Sequence, residues 1–260
     1  MNEVFIHSTA IVSPKAKLGV NVKIGPFSII DDDVEIGDNT EIMSSVYIHN
    51  YARIGENNKI YPYVVIATEP QDLKFQDTPT YVEIGNDNTI REYTAINRGT
   101  EATGKTSIGN NNLIMEFCHI AHDCRLGDNI VFANITHIAG HVHIEDWANL
   151  GAYVKVHQFC TVGKYSFIGA DTKLVKDVPP YSIVSSPDVG FKGVNLIGLR
   201  RRGFTEEEIS EISQFYKFLF NSGYNNSDGI KKYLEDHTPS ANVQYIIDFI
   251  QRSERGIYRS

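Results

Sequence analysis

The chain has 260 residues, of which 42% are hydrophobic and 22% charged, and carries a formal net charge of −8 at pH 7. There is enough apolar material for one long domain or two ordinary ones, and the acidic balance argues against a general nucleic-acid or membrane-surface binder. Residues 1–10 (MNEVFIHSTA) lack a basic start followed by an apolar run, and no apolar stretch approaches membrane-spanning length. A cytoplasmic protein without stable membrane insertion is the expectation.

The predicted elements begin at Ile6. From there an aliphatic residue returns at every sixth position, through Val12, Leu18, Ile24, Ile30, Ile36, Ile42, Ile48, Ile54 and Ile60 to Ile66. A period of six is neither the 3.6 of a helix nor the 2 of a flat strand, so it reads as a short internal repeat. Of the 29 multiples of six between 6 and 174, 26 are aliphatic or aromatic; the exceptions are Asp72, Thr78 and Ala102. They mark two interruptions, about Ala67 to Val82 and about Asn97 to Ser107. Loops ejected from a repeat usually gather on its functional face.

The second interruption contains Gly99-Thr100-Glu101-Ala102-Thr103-Gly104-Lys105-Thr106, which satisfies the phosphate-loop formula. That loop works by joining a strand to a helix whose N-terminal amides hold phosphate. Here Ile108-Gly109-Asn110 resumes the hexads, so triphosphate chemistry is not expected.

From Ile108 to Leu174 the repeat runs unbroken. The residue after the aliphatic is often glycine (Gly109, Gly127, Gly151, Gly163, Gly169), and the fourth after it is small or β-branched (Thr136, Val142, Ala148, Ser166, Thr172). This suits a chain that runs a few extended residues, turns a corner and runs again. Three sides close a coil of 18 residues, and residues 18 apart stack through parallel ladders. The predicted fold is a left-handed parallel β-helix over 1–190, of about nine coils and ~40 Å long at ~4.8 Å per coil. Cys118, Cys124 and Cys160 all fall in the small inward slot and read as core thiols in a reducing compartment rather than a disulfide or metal site.

Six of the nine histidines lie between 119 and 157. Stacking by 18 puts His119 under His137, Asp123 under His141 and His122 under Gly140. His122 and Asp123 sit at a corner where side chains are expected to face outward. A glycine one coil above leaves space and an accessible amide over the imidazole, as a general base beside an oxyanion hole would need. His143 and His137 read as solvated corner residues. A rival reading has three imidazoles binding zinc in a hydratase of the carbonic anhydrase type, on the same fold. A catalytically silent β-helix scaffold is the alternative outside enzymology.

Beyond Asp177-Val178-Pro179-Pro180-Tyr181 the six-fold signal fades, and residues 191–260 are predicted to form a helical domain. Arg200-Arg201-Arg202 is a dense basic patch whose forks would suit a diphosphate. Three helices are expected. The first opens at Thr205 with Glu208 as capping-box partner and ends before Gly223, the second spans about Asp228 to Asp236, and the third about Ala241 to Arg252.

His119-Ile120-Ala121-His122-Asp123-Cys124, Ala139-Gly140-His141, Val156-His157-Gln158-Phe159-Cys160, Gln71-Asp72-Leu73-Lys74, Asp177-Val178-Pro179-Pro180-Tyr181, Gly193-Val194-Asn195 and Arg201-Arg202-Gly203-Phe204 together resemble the UDP-N-acetylglucosamine acyltransferases of lipid A synthesis. The resemblance covers essentially the whole chain, both interruptions and the tail included. It implies a homotrimer of parallel prisms with active sites in the clefts between subunits, and no cofactor beyond an acyl carrier protein thioester as co-substrate.

In that family pattern His122 is the general base that deprotonates the glucosamine 3-hydroxyl of UDP-N-acetylglucosamine, Asp123 orients it, and the Gly140 amide stabilises the oxyanion. The hydroxyl attacks the thioester of a 3-hydroxyacyl-acyl carrier protein. Gln71, Asp72, Lys74, His119, His141, His157 and Gln158 match substrate-contacting positions, and Asn195, Arg201 and Arg202 match positions near the nucleotide or the carrier. Ile197 departs from the pattern, which has an acidic residue there. Ala170, with Phe167 and Lys173 on nearby turns, matches the position that sets acyl length.

Overall fold

The computed structural model describes residues 3–259. Strands of mostly two residues line up into three sheets, and every strand up to Ser182–Ser185 pairs in parallel with one a coil away. Ile114 stands beside Phe132 and Phe132 beside Leu150 in the first sheet; Ile120 stands beside Ile138 in the second, and Leu126 beside Ile144 in the third. Each of these hexad residues is buried in one continuous core, as the period of six predicts. The small slots are buried with them. All three cysteines are free, and burial pushes Cys118 and Cys160 up to about 11 and Cys124 to about 12, so they remain thiols.

The corners carry a feature that the hexad pattern does not reveal. At most corners the third residue after the hexad aliphatic or aromatic is left-handed, as at Asn111, Phe117, Asp123, Asn129, Ile135 and His141. Asn and Asp tolerate that conformation because their short side chains bond locally. Where it falls on aromatics, successive coils stack them instead. Tyr63 lies 4.9 Å from Tyr93, and Tyr93 lies 4.8 Å from Phe117, ring centre to ring centre.

Both interruptions leave the repeat between a strand of the second sheet and one of the third. The first separates Val65–Thr68 from Tyr81–Ile84, the second Ala95–Asn97 from Lys105–Ile108. Ile60 pairs with Ile90 and Ile90 with Ile114, spacings longer than 18 by 12 and by 6 residues. Insertions in multiples of six keep the phase of the repeat, which is why it carries through both loops. The phosphate-loop look-alike runs into the strand Lys105–Ile108, not a helix.

The prism ends in a strand, Ser182–Ser185, that pairs antiparallel with Gly190–Val194. Four helices follow rather than the three expected: α1 Leu196–Arg201, α2 Glu206–Asn221, α3 Asn226–Asp236 and α4 Ala241–Arg252. The addition, α1, is too short to show a periodic stripe and is capped by Asn195, whose side chain accepts from the Gly198 amide. At α2 the capping box is complete, with Thr205 and Glu208 bonding each other's backbone amides. Asn225 caps α3 and starts it at Asn226, ahead of the expected Asp228. The helices enclose a second core around Tyr181, Phe215, Tyr216 and Ile246. The chain then returns to the prism, where the Tyr258 hydroxyl accepts from the Val175 amide at 2.7 Å.

Candidate active site

His122 and Asp123 occupy the corner between the second and third sheets, the edge from which both loops emerge. The Nδ1–H of His122 donates to Oδ2 of Asp123 at 2.7 Å. Asp123 does not face outward as expected: it is 2% exposed. The second loop folds over it. Its Oδ1 accepts from the Thr100 amide at 2.9 Å and from the Thr103 hydroxyl, while the Thr100 hydroxyl donates to Oδ2 at 2.8 Å. Burial opposes ionisation of this carboxyl. Hydrogen bonds from Thr103, His122 and Thr100 outweigh it and hold the group below the usual aspartate range. The stretch that imitates a phosphate loop therefore fixes a carboxylate.

One coil above, Gly140 lies over the His122 ring, and a methyl group there would fall 2.6 Å from Cε1. Among the described residues the Gly140 amide has no protein acceptor. On the next edge of the prism the equivalent amides are taken by Asx side chains a coil higher, as Asp128 Oδ1 accepts from Asn110 and Asp146 Oδ1 from Asp128. The open amide over His122 is what an oxyanion would use.

His141 completes the cluster. Its Nε2 is 3.5 Å from Asp123 Oδ2, and its ring stacks on Phe159 at 4.5 Å. His119 lies a few residues back on the second sheet, edge-on to His137. Burial, followed by the charges of His137 and His122, holds His119 below its ordinary value. His157 and Gln158 are exposed at the corner above, where the Gln158 carbonyl accepts from Arg255 at 2.9 Å. His143 corrects the expectation of a solvated corner. It is on the strand His143–Ile144, half-buried beside Asp177, Phe249 and Arg252, because the helical region packs over the third sheet. His137 is likewise on a strand and not at a corner, though exposed.

The first loop leaves the same edge. Gln71 borders a groove of ≈ 690 Å³ with His49, Asp77, Asn97 and Arg98, and Asp72 Oδ1 accepts from the Lys74 amide in a local turn. Arg98, which is buried, ties the loops together by donating to the Thr78 carbonyl and to Asp77, each at 2.7 Å.

Asn195, Arg201 and Arg202 lie elsewhere. With Trp147, Tyr165 and Phe167 they line a cavity of ≈ 470 Å³ on the first sheet, and the exposed Ile197 borders it. Asn195 Nδ2 donates to the Tyr165 carbonyl at 2.9 Å, and the Arg202 guanidinium sits 4.1 Å from the centre of the Trp147 ring. Arg200 departs from the basic patch: it makes two bonds to Glu206, at 2.6 and 2.9 Å. Of the residues matched to acyl length, Phe167 borders the cavity, Lys173 stacks beside Lys155 on the second sheet, and Ala170 is exposed at the corner between them.

The structure thus brings together His122, Asp123, Gly140 and His141, with both loops on their edge, and leaves the Asn195 cavity on another face. Sequence reasoning missed Thr100, Thr103, Arg98 and Phe159. Only the position of the loop in the repeat pointed to the first three, and a left-handed aromatic one coil above His141 to the last.

Two family models match the chain: bacterial transferase hexapeptide repeats over residues 33–68 and 105–140, and the second domain of UDP-N-acetylglucosamine O-acyltransferase over 177–258. An acyl-[acyl-carrier-protein]–UDP-N-acetylglucosamine O-acyltransferase from Thermodesulfovibrio yellowstonii is 42% identical over 260 residues, covering all of both chains. One from Thiobacillus denitrificans is 42% identical over 98% of this chain and 99% of its own. A solved UDP-N-acetylglucosamine acyltransferase from Bacteroides fragilis superposes with a TM-score of 0.96 at 46% identity, over 98% of this chain and 100% of that one.

Proposed function

The chain belongs to the UDP-N-acetylglucosamine O-acyltransferase family, and on that premise we propose that it transfers a 3-hydroxyacyl chain from acyl carrier protein to the glucosamine 3-hydroxyl of UDP-N-acetylglucosamine, the first step of lipid A biosynthesis. The observation that carries the mechanism is the His122–Asp123 dyad beneath the open Gly140 amide.

Asp123 accepts the Nδ1 proton and so leaves the Nε2 lone pair of His122 free. Nε2 takes the proton of the 3-hydroxyl as its oxygen attacks the thioester carbonyl. Negative charge gathers on that carbonyl oxygen, where the Gly140 N–H donates to it. Collapse breaks the carbon–sulfur bond, and His122 returns its proton to the departing thiolate, giving the ester and the free carrier thiol. No cofactor enters this scheme.

The arrangement supports a homotrimer. The Asn195, Arg201 and Arg202 cavity lies on a different face of the prism from His122, so a site that used both sets would take them from two neighbouring copies. The stacked Tyr63, Tyr93 and Phe117 edge is exposed, an apolar stripe that association would cover. Among the described residues no helix is long and apolar enough to cross a membrane.

The test is turnover of purified protein with UDP-N-acetylglucosamine and a ladder of 3-hydroxyacyl-carrier thioesters. An acylated sugar nucleotide is expected, at an undiminished rate in EDTA. Absence of that product with every thioester would overturn the reading.

A further inference from the structure

The cluster that positions the base also offers a donor set that acyl transfer does not need. One ligand atom from each of His122, Asp123 and His141 lies within 4.8 Å of the other two. Two imidazoles and one carboxylate suit a borderline-soft divalent ion such as zinc. With bonds of about 2.0–2.2 Å, tetrahedral ligands stand about 3.3 Å apart. The separations from Asp123 Oδ2 are 2.7 Å to His122 Nδ1 and 3.5 Å to His141 Nε2, each within about 0.6 Å of that spacing.

The donors are already held in place. Thr100 and Thr103 bond the carboxylate, in the way that outer partners orient a ligating group. Stacking on Phe159 fixes the His141 ring, and His122 meets it at a right angle with ring centres 5.4 Å apart. Solvent reaches the cluster, since the two histidine side chains are 14% and 22% exposed.

We infer that His122, Asp123 and His141 form an inhibitory site for zinc or a similar divalent transition metal, which binds in place of the proton shared by His122 and Asp123. The Nδ1–H bond of His122 breaks, its electron pair goes to the metal and its proton goes to solvent, while the Nε2 lone pair takes a proton from solvent, so the ring stays neutral in its other tautomer. The ring stays in place, but Nε2 now carries a proton and has no lone pair with which to act as a base. Occupation of the site and acyl transfer are therefore mutually exclusive.

Binding is tested with the metal alone on the full-length protein, so its failure is separable from any failure of the acyltransferase reading. Calorimetric titration of wild type with zinc chloride is expected to show one ion per chain at micromolar affinity or tighter. Cobalt(II) in its place is expected to give the intense visible bands of a four-coordinate site. Zinc should also stop acyl transfer, and EDTA should restore it. His141→Ala and Asp123→Asn are each expected to weaken zinc binding at least 30-fold and to remove the cobalt bands. His137→Ala is the control: it disrupts the neighbouring pair with His119 and should leave both readouts unchanged. Melting curves verify the fold of every variant, and if Asp123→Asn fails to fold, His141→Ala decides. The site is refuted if zinc affinity in His141→Ala stays within threefold of wild type, or if His137→Ala abolishes binding.

Discussion

Gly140 lies so close above His122 that a methyl group in its place would stand 2.6 Å from Cε1 and 2.8 Å from Nε2 of the imidazole. The clash is with the end of a side chain and not with backbone, so Gly140→Ala is expected to fold and to displace the ring. Acyl transfer should fall by about 10²-fold or more, on the scale of a lost general base. An alanine variant with turnover near wild type and an unchanged melting temperature would show that the amide and ring need no such contact.

His122→Ala is expected to lower kcat by about 10²–10⁴-fold with the oligomer intact. Thr103→Val removes a hydrogen bond to the Asp123 carboxylate while leaving both dyad members in place. Its loss should be smaller and should appear in kcat more than in KM. Steady-state kinetics and size-exclusion chromatography check both. Residual His122→Ala activity within about tenfold of wild type would remove the residue from the chemistry.

The arginines at the end of α1 are not equivalent. Arg200 is occupied by Glu206, whereas Arg201 and Arg202 border the cavity. Arg201→Ala and Arg202→Ala are each expected to raise KM for the sugar nucleotide or the acidic carrier several-fold, and rising salt should raise the carrier KM of wild type. Arg200→Ala should do neither. Equal effects from all three would mean that the patch acts only as diffuse charge.

His119 is held below its ordinary value of 6.5 by burial, then by its imidazole neighbours. As pH falls the unfolded chain takes up this proton first, so stability present above that value is lost on the way down to the folded-state value. His119→Gln is expected to flatten part of the acid decline in melting temperature and to change little at neutral pH. Melts between about pH 7.5 and about pH 5 decide it, and a parallel decline in both proteins would assign the loss elsewhere.

Ala170 is exposed at a corner between Phe167 and Lys173. Each buried methylene contributes about 0.8 kcal/mol, roughly a fourfold preference, and a side chain that blocks the floor penalises the next one more steeply. Ala170→Gly is expected to move the thioester optimum to longer chains with KM for the sugar nucleotide little changed. An identical optimum in both proteins would direct the search to Phe167 or Lys173.

The repeat was fully legible in the residues because each hexad makes the same local demand: one large side chain inward, one small one behind it, and a corner. Since the coil closes every 18 residues, that period also sets the register, which placed His122 beneath Gly140 and Asp123 beneath His141 before any coordinates. The capping box at Thr205 was legible for the same reason, its partners lying within one turn. What the residues could not show was how the departures from the repeat fold. Nothing local to Thr100 or Thr103 says that the loop turns back over Asp123 and buries it, nor that Arg98 clasps the neighbouring loop. Arg200 is set apart from Arg201 by a bond to the start of the next helix, and His143 is half-buried by helices that begin far along the chain. Contacts of that kind are decided by which surfaces meet once the coils are stacked, and no period in the sequence encodes them.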